Sequence, residues 1–148
     1  MRTIVICSSA AFYEHVNALA AALKKRGFKP VVPMIARRMQ KSSNYDVQAV
    51  KTWYKNSADF NKKTELIREH FKEIADGDMV LVVNDKKHGI EGYIGPNVLI
   101  EMGLAFYLNK PIYVLNNIKE DMPVYEEVLG INSVLLDGDI DKIAKEEL

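Results

Sequence analysis

The chain has 148 residues, no formal net charge, a 48% hydrophobic fraction and a 27% charged fraction. This is an ordinary globular composition, with no overall charge to draw it to a nucleic acid polymer or a membrane surface. One cysteine, Cys7, excludes an internal disulfide and fits a reducing, cytoplasmic setting, and the apolar run in "MRTIVIC" is too short for a signal peptide.

At this length a single domain over residues 1–148 is expected, burying roughly two-thirds of its unfolded surface. "TIVIC", from Thr3, is apolar and β-branched throughout, as a central parallel strand buried on both faces would be. Val16, Leu19, Ala20 and Leu23 then recur at helical spacing, and "KKRG" supplies last-turn cations and the Gly27 stop, so a helix is predicted from about Ala10 to Arg26. "KPVVPM" reads as a short second strand ending at Pro33. Periodicity weakens across residues 35–57, where Arg37, Arg38, Lys41, Lys51 and Lys55 surround "SSN", and a mobile insertion or lid is expected there.

Phe60, Thr64, Ile67, Phe71 and Ile74 form one helical stripe, closed by "DGD". "MVLVVN" is a third strand, and a helix follows from about Asn97 to Asn109. Its apolar run, Val98 to Leu108, is broken by Glu101 and falls far short of the ~20 residues that span a bilayer. "KPIYVLNN" gives a fourth strand from Pro111, "SVLLDGD" a short fifth, and an acidic helix is expected at the end. Alternating strands and helices predict a doubly wound, flavodoxin- or Rossmann-like α/β fold, with a parallel sheet of about five strands and helices on both faces. Ligands in such folds bind beyond the carboxyl ends of the strands. That selects three loops: "CSSAAF", "NDKKHGIEGYIGPN" and "NNI".

Within the second of these, Asn97 reads as an N-cap, which places Glu101 at the fourth helical position. A carboxylate there has the helix N-terminus to support its charge, by about 0.3 to 1 kcal/mol, and has no basic residue three or four positions away. Either it caps backbone amides, or it stands in a site. The flanking Leu99, Ile100, Met102, Leu104 and Ala105 leave little room for an exposed stripe.

"DGDMVLVVN", a glycine-containing loop and "GPNVLIEMGLAFYLNKPIYVL" together resemble the nucleoside 2-deoxyribosyltransferase superfamily, which includes nucleotide N-glycoside hydrolases. Glu101, Gly103, Ala105 and Lys110-Pro111-Ile112 carry the pattern, and the likeness extends over about Met1 to Asn117. The resemblance implies that Glu101 is a nucleophile attacking C1′ of a ribosyl or deoxyribosyl group, with water or a second base resolving the glycosyl-enzyme. No cofactor is implied. A nucleoside or nucleotide is the implied small-molecule partner, and a homo-oligomer is implied because such sites are commonly completed by a neighbouring subunit.

Asp85 is the candidate acid for the leaving base, with Asn84 and Asn97 orienting sugar hydroxyls. Transferases of this superfamily often carry an acidic residue six positions before the nucleophile, and here that position is Gly95. Its absence motivates the alternative of a catalytically silent nucleotide-binding domain. Ser8 and Ser9 either hold an anion with backbone amides or cap the first helix. Asn116 and Asn117 either contact ligand or terminate the strand. Tyr93, Phe12 and Trp53 are candidate stacking partners for a base.

His15, His70 and His88 stand at no ligand spacing with Cys7 or one another, so no metal site is expected, His70 reading as half-buried structure and Cys7 as an inert thiol. Neither a GxGxxG nor a GxxxxGK[ST] motif is present.

Overall fold

The computed structural model describes residues 1–53 and 55–144. In it β1 (Thr3–Ser8), β2 (Lys29–Val31), β3 (Met79–Val83), β4 (Ile112–Val114) and β5 (Val134–Leu135) form one parallel sheet in the order β2-β1-β3-β4-β5. This is the flavodoxin-like order, with its switch between β1 and β3. Those two strands are paired from Ile4↔Met79 to Ser8↔Val83, so their carboxyl ends open side by side.

Alternation along β1 divides the core. Ile4 and Ile6 face one layer with Leu81 and with Val16 and Leu23 of helix α1 (Tyr13–Lys25). Val5 and Cys7 face the other, with Ile74 of α3 (Phe60–Asp76), Val98 and Met102 of α4 (Pro96–Tyr107) and Val128 of α5 (Tyr125–Gly130). Helices therefore cover both faces, as the alternating pattern predicts.

Helix α1 stops where Gly27 adopts φ +92. Gly27 N–H donates to Lys24 O and Phe28 N–H to Leu23 O, closing a Schellman turn in which buried Phe28 and Leu23 make the apolar contact. Asn109, at φ +57, ends α4 in the same way, through Asn109 N–H to Phe106 O and Lys110 N–H to Ala105 O.

The structure departs from expectation in several elements. Residues 34–42 fold as helix α2 (Met34–Ser42), held to α1 through buried Ala36 and Met39 and by Asn17 Nδ2 donating to Ala36 O at 3.0 Å. Its buried residues are only these two, at i and i+3, and the rest are mostly polar or basic. The stripe on α3 is shifted, since Phe60 is 50% exposed and Thr64 is exposed, while His70 is buried with Ile74. Helix α5 has no counterpart among the predicted elements. Of the expected C-terminal helix, a 3-10 turn at Ile140–Lys142 is present and the end lies outside the described residues. No helix among the described residues is long and apolar enough to cross a membrane.

Candidate active site

A cavity of about 350 Å³ opens at the carboxyl ends of β1 and β3, within the size range of small-molecule sites. Its walls are the β1 exit, α3, the start of α4, the loop after β3 and parts of residues 33–53.

Helix α4 brings Glu101 to this wall by a route different from the expected one. Gly95, in extended conformation, is the N-cap and Pro96 the first helical residue. Pro at that position has no N–H to leave unpaired. Asn97 is thus inside the first turn and caps nothing, and Glu101 is the sixth helical residue, beyond the reach of the first-turn amides. The side chain of Asn97 turns to the carboxylate instead, and its Nδ2 donates to Glu101 Oε1 at 2.8 Å. Glu101 is 5% exposed, and its Oε2 is buried without a hydrogen-bond partner. Burial pushes its carboxyl above the usual range, and His70 and Cys7 pull the other way.

His70 Nε2 lies 3.3 Å from Glu101 Oε2 and 3.5 Å from Cys7 Sγ. His70 Nδ1 is 3.3 Å from Glu73 Oε1, and Arg37 Nη1 donates to Glu73 Oε2 at 3.3 Å. Burial opposes the charged form of His70, but the Glu73 hydrogen bond and the charges of Glu101 and Glu73 outweigh it, and its pKa is raised. Glu73 is also partly buried, yet His70 and Arg37 hold it below the ordinary carboxylate range. An ionised Glu73 can only accept, which places the Nδ1 proton on His70. Cys7, behind these groups, is fully buried. Desolvation pushes its thiol well up, and the Glu101 charge adds to this.

Local spacing gave no sign of this cluster, because 63 positions separate Cys7 from His70. Tyr13 is a further residue that the sequence did not single out. It lines the cavity, and burial together with the charge of Glu101 raises its phenol pKa.

Part of the cavity lining is basic. Lys51, Lys63 and Lys87 contribute to it together with Trp53 and Tyr93. Lys87 sits on a tight turn in which Lys87 and Ile90 exchange backbone hydrogen bonds and His88 and Gly89 both have positive φ, the type I′ pattern. Its Nζ donates to Ser9 Oγ at 2.7 Å and stands 5.3 Å from the centre of the Tyr93 ring. Lys63 Nζ is 5.2 Å from the centre of the Trp53 ring. Desolvation first, and then the charge of Lys51, lower the pKa of both Lys63 and Lys87.

Of the residues expected at the site, Ser8, Ser9, Tyr93, Gly95, Asn97 and Glu101 line the cavity. Ser9 occupies the N-cap position of the short turn before α1 without a side-chain capping bond, and Ser8 Oγ donates to Ser9 O at 3.0 Å. Four others are placed elsewhere. Phe12 is buried in the α1 layer of the core, with no face open for a base. Asn84 is fully buried and clasps the fourth strand's exit: Asn116 N–H donates to its Oδ1 at 2.8 Å and its Nδ2 donates to Asn116 O at 2.9 Å. Asn116 spends its own amide on Asn84 O and Asp85 Oδ1. Asp85 Oδ2 is 2.7 Å from His15 Nδ1, away from the cavity wall.

Gly95 has a close neighbour. A Cβ there would meet the Tyr93 hydroxyl at 3.1 Å. The Tyr93 phenol therefore fills the space into which a side chain at position 95 would project.

Fold and site together define an open α/β sheet with a ligand-sized cleft at its switch point, lined by a carboxylate, an imidazole and three lysines. No family model matches the sequence, and no curated protein matches it. Among solved structures, the 2-deoxyribosyltransferase of Bacillus psychrosaccharolyticus is similar at 16% identity, over 83% of this chain and 78% of that one, with a TM-score of 0.53. The CMP N-glycosidase BcmB of Clostridium botulinum matches at 13% identity over 92% and 90% of the two chains, with a TM-score of 0.49. FerB, an NAD(P)H:(acceptor) oxidoreductase flavoenzyme of Paracoccus denitrificans, matches at 10% identity over 98% and 84%, with a TM-score of 0.48. At such identities the likeness is one of fold, and chemistry has to be argued from the side chains in the cleft.

Proposed function

We propose that the cleft breaks the N-glycosidic bond of a nucleoside 5′-monophosphate with Glu101 as nucleophile. The observation that carries this reading is a buried carboxylate on the cavity wall, aimed by Asn97 and, among the described residues, with His70 rather than a lysine or arginine beside it. The 2-deoxyribosyltransferase that shares the fold acts on the same class of bond, which supports the reading. In the proposed reaction a Glu101 oxygen forms a bond to C1′ as the C1′–N bond breaks, and the electron pair leaves on the base, which takes up a proton. Water or a second base then attacks C1′ and returns the carboxylate. His70, beside Oε2, offsets the charge that Glu101 carries before it attacks and regains when C1′ is released.

The lysines favour a nucleotide over a nucleoside. Three like charges around one opening repel each other, and a phosphate placed among Lys51, Lys63, Lys87 and Ser9 relieves that repulsion. The Tyr93 phenol, in the space above Gly95, takes the place of the missing acidic residue as a hydrogen-bond donor. We also propose that residues 35–57 close over the bound ligand, because Ile35, Val47, Val50, Lys51 and Trp53 already form one wall.

Incubation with purine and pyrimidine ribo- and deoxyribonucleotides, with and without a second base, tests the function by chromatography of free base and exchanged nucleotide. Base release by the wild type and none by Glu101→Ala with an unchanged circular dichroism spectrum is the expected result. Equal release by both proteins would refute the nucleophile. The second reading, a silent nucleotide-binding domain, draws on Asp85 lying away from the cavity, and calorimetric binding without any base release would favour it.

A further inference from the structure

We propose that Cys7, His70 and Glu101 form a three-ligand site for zinc or a similar borderline-soft divalent ion, with the fourth coordination position open to the cleft. The three donors come from β1, α3 and α4 and are all buried. Cys7 Sγ, His70 Nε2 and a Glu101 carboxylate oxygen lie within 4.8 Å of one another. A tetrahedral ion with bonds of about 2.0 to 2.3 Å holds its ligand atoms about 3.3 to 3.6 Å apart. Two of the separations already have those values, 3.5 Å from Sγ to Nε2 and 3.3 Å from Nε2 to Oε2. The third, from Sγ to a Glu101 oxygen, is no more than 4.8 Å.

Three further features point to an ion. Glu101 Oε2 is buried with no hydrogen-bond partner, although the rest of its carboxylate is held by Asn97. Its polar neighbour is His70 Nε2 at 3.3 Å, and a buried oxygen that no hydrogen bond holds costs free energy that a cation would recover. His70 Nδ1 is tied to Glu73, which leaves Nε2 facing Sγ and Oε2. A carboxylate on the far nitrogen of a metal-binding histidine is the usual second contact of zinc sites, fixing the ring and strengthening the donor. The charges also balance, since one thiolate and one carboxylate cancel a divalent ion, the Cys7 thiol proton and any proton on His70 Nε2 passing to solvent as the metal bonds form.

Thiolate with imidazole selects zinc or its neighbours over magnesium and calcium, which take oxygen donors. His70 and Glu101 both line the cavity, so the ion has an entry path and its fourth position faces the ligand space. Binding stands independently of catalysis. Its consequence, that an ion on Oε2 withdraws Glu101 from attack and stops base release, rests on the reading of Glu101 as nucleophile.

The test is titration of the chelator-treated protein with zinc by calorimetry and with cobalt by absorption. One ion per chain and a thiolate-to-cobalt charge-transfer band are expected. Cys7→Ser should remove the band, and Cys7→Ser, His70→Ala and Glu101→Gln should each weaken binding by at least about tenfold. Circular dichroism checks each variant for folding; Glu101→Gln, which removes a buried charge, keeps the test open if a core variant does not fold. No saturable ion, binding without the thiolate band, or an affinity unchanged in folded variants would overturn the site. A cobalt band in a protein that releases no base even after the ion is removed by chelator would support the site and count against the catalytic reading. Base release by chelator-treated protein, together with no saturable ion binding, would do the reverse.

Discussion

Glu101 combines two demands that oppose each other. As a nucleophile it must be ionised, yet burial raises its pKa, so the folded protein carries a charge that its surroundings disfavour. A carboxyl whose folded pKa lies above its unfolded value contributes most to stability below the unfolded pKa and loses that contribution as pH rises through the folded pKa. In chelator-treated protein, Glu101→Gln should therefore abolish base release while raising stability at about pH 8 by about 1 kcal/mol, with little gain at about pH 4. Denaturant titration at both pH values checks this, and a glutamine variant less stable than wild type at the higher pH would contradict it. Lys87 makes the opposite case, since its charge is useful only when an anion arrives. Lys87→Ala should raise KM for a nucleoside monophosphate by about ten- to a hundredfold, the range of one charged hydrogen bond. With Lys63 and Lys87 both held below the ordinary lysine range, wild-type nucleotide affinity should decline at alkaline pH sooner than free lysines would lose charge. Equal KM for wild type and variant would remove the phosphate from this part of the cleft.

At the scale of elements, what was legible in the sequence was what local pattern encodes. β1 and β3 were visible as unbroken apolar runs, and α1 by its apolar spacing and Gly27. Helix α2 was not, because its tertiary contact consists of Ala36 and Met39 among arginines and lysines, and α5 was not, because six residues carry no period. The capping of α4 was misread because Asn97 is a common N-cap type, whereas Pro96 already starts the helix from Gly95. The loop before α4 depends on Gly92, which has φ +68 and whose Cβ would stand 2.4 Å from Asn117 O. Gly92→Ala combines a left-handed backbone with a collision against main chain, so it should cost about 2 kcal/mol or more by chemical denaturation. A loss below about 0.5 kcal/mol would mean that the loop relaxes freely. The proposed closure of residues 35–57 gives a second measurement at this scale, slower amide hydrogen exchange there when nucleotide is bound. Unchanged exchange at saturating ligand would leave this segment a fixed wall.

For the whole molecule, the sheet order matters more than any motif, because it turns three residues distant in sequence into neighbours. Cys7 ends β1, His70 lies midway along α3 and Glu101 faces them from α4, and only the β1–β3 pairing with both helices on one face makes them meet. Sequence spacing could nominate Glu101 by its lack of a partner but could not reveal that its partners are a histidine and a thiol. The same helix has an outward side that the fold leaves bare. Ile100, Phe106 and Tyr107 are 49%, 46% and 80% exposed, and a Cβ on the intervening Gly103 would touch nothing within 4 Å. An apolar face of this kind, on the helix that carries Glu101, is where a second copy of the chain would pack, and the small Gly103 would let two such helices approach closely. A dimer or larger assembly is therefore expected in sedimentation velocity at micromolar concentration. Phe106→Glu, which buries no charge in the monomer, should sediment as a single chain with its circular dichroism spectrum unchanged. Because α4 would be shared between the contact and the cleft, dissociation should also lower the apparent affinity for nucleotide. Wild type sedimenting as a monomer across the concentration range would sink the assembly and leave the cleft to be completed by one chain alone.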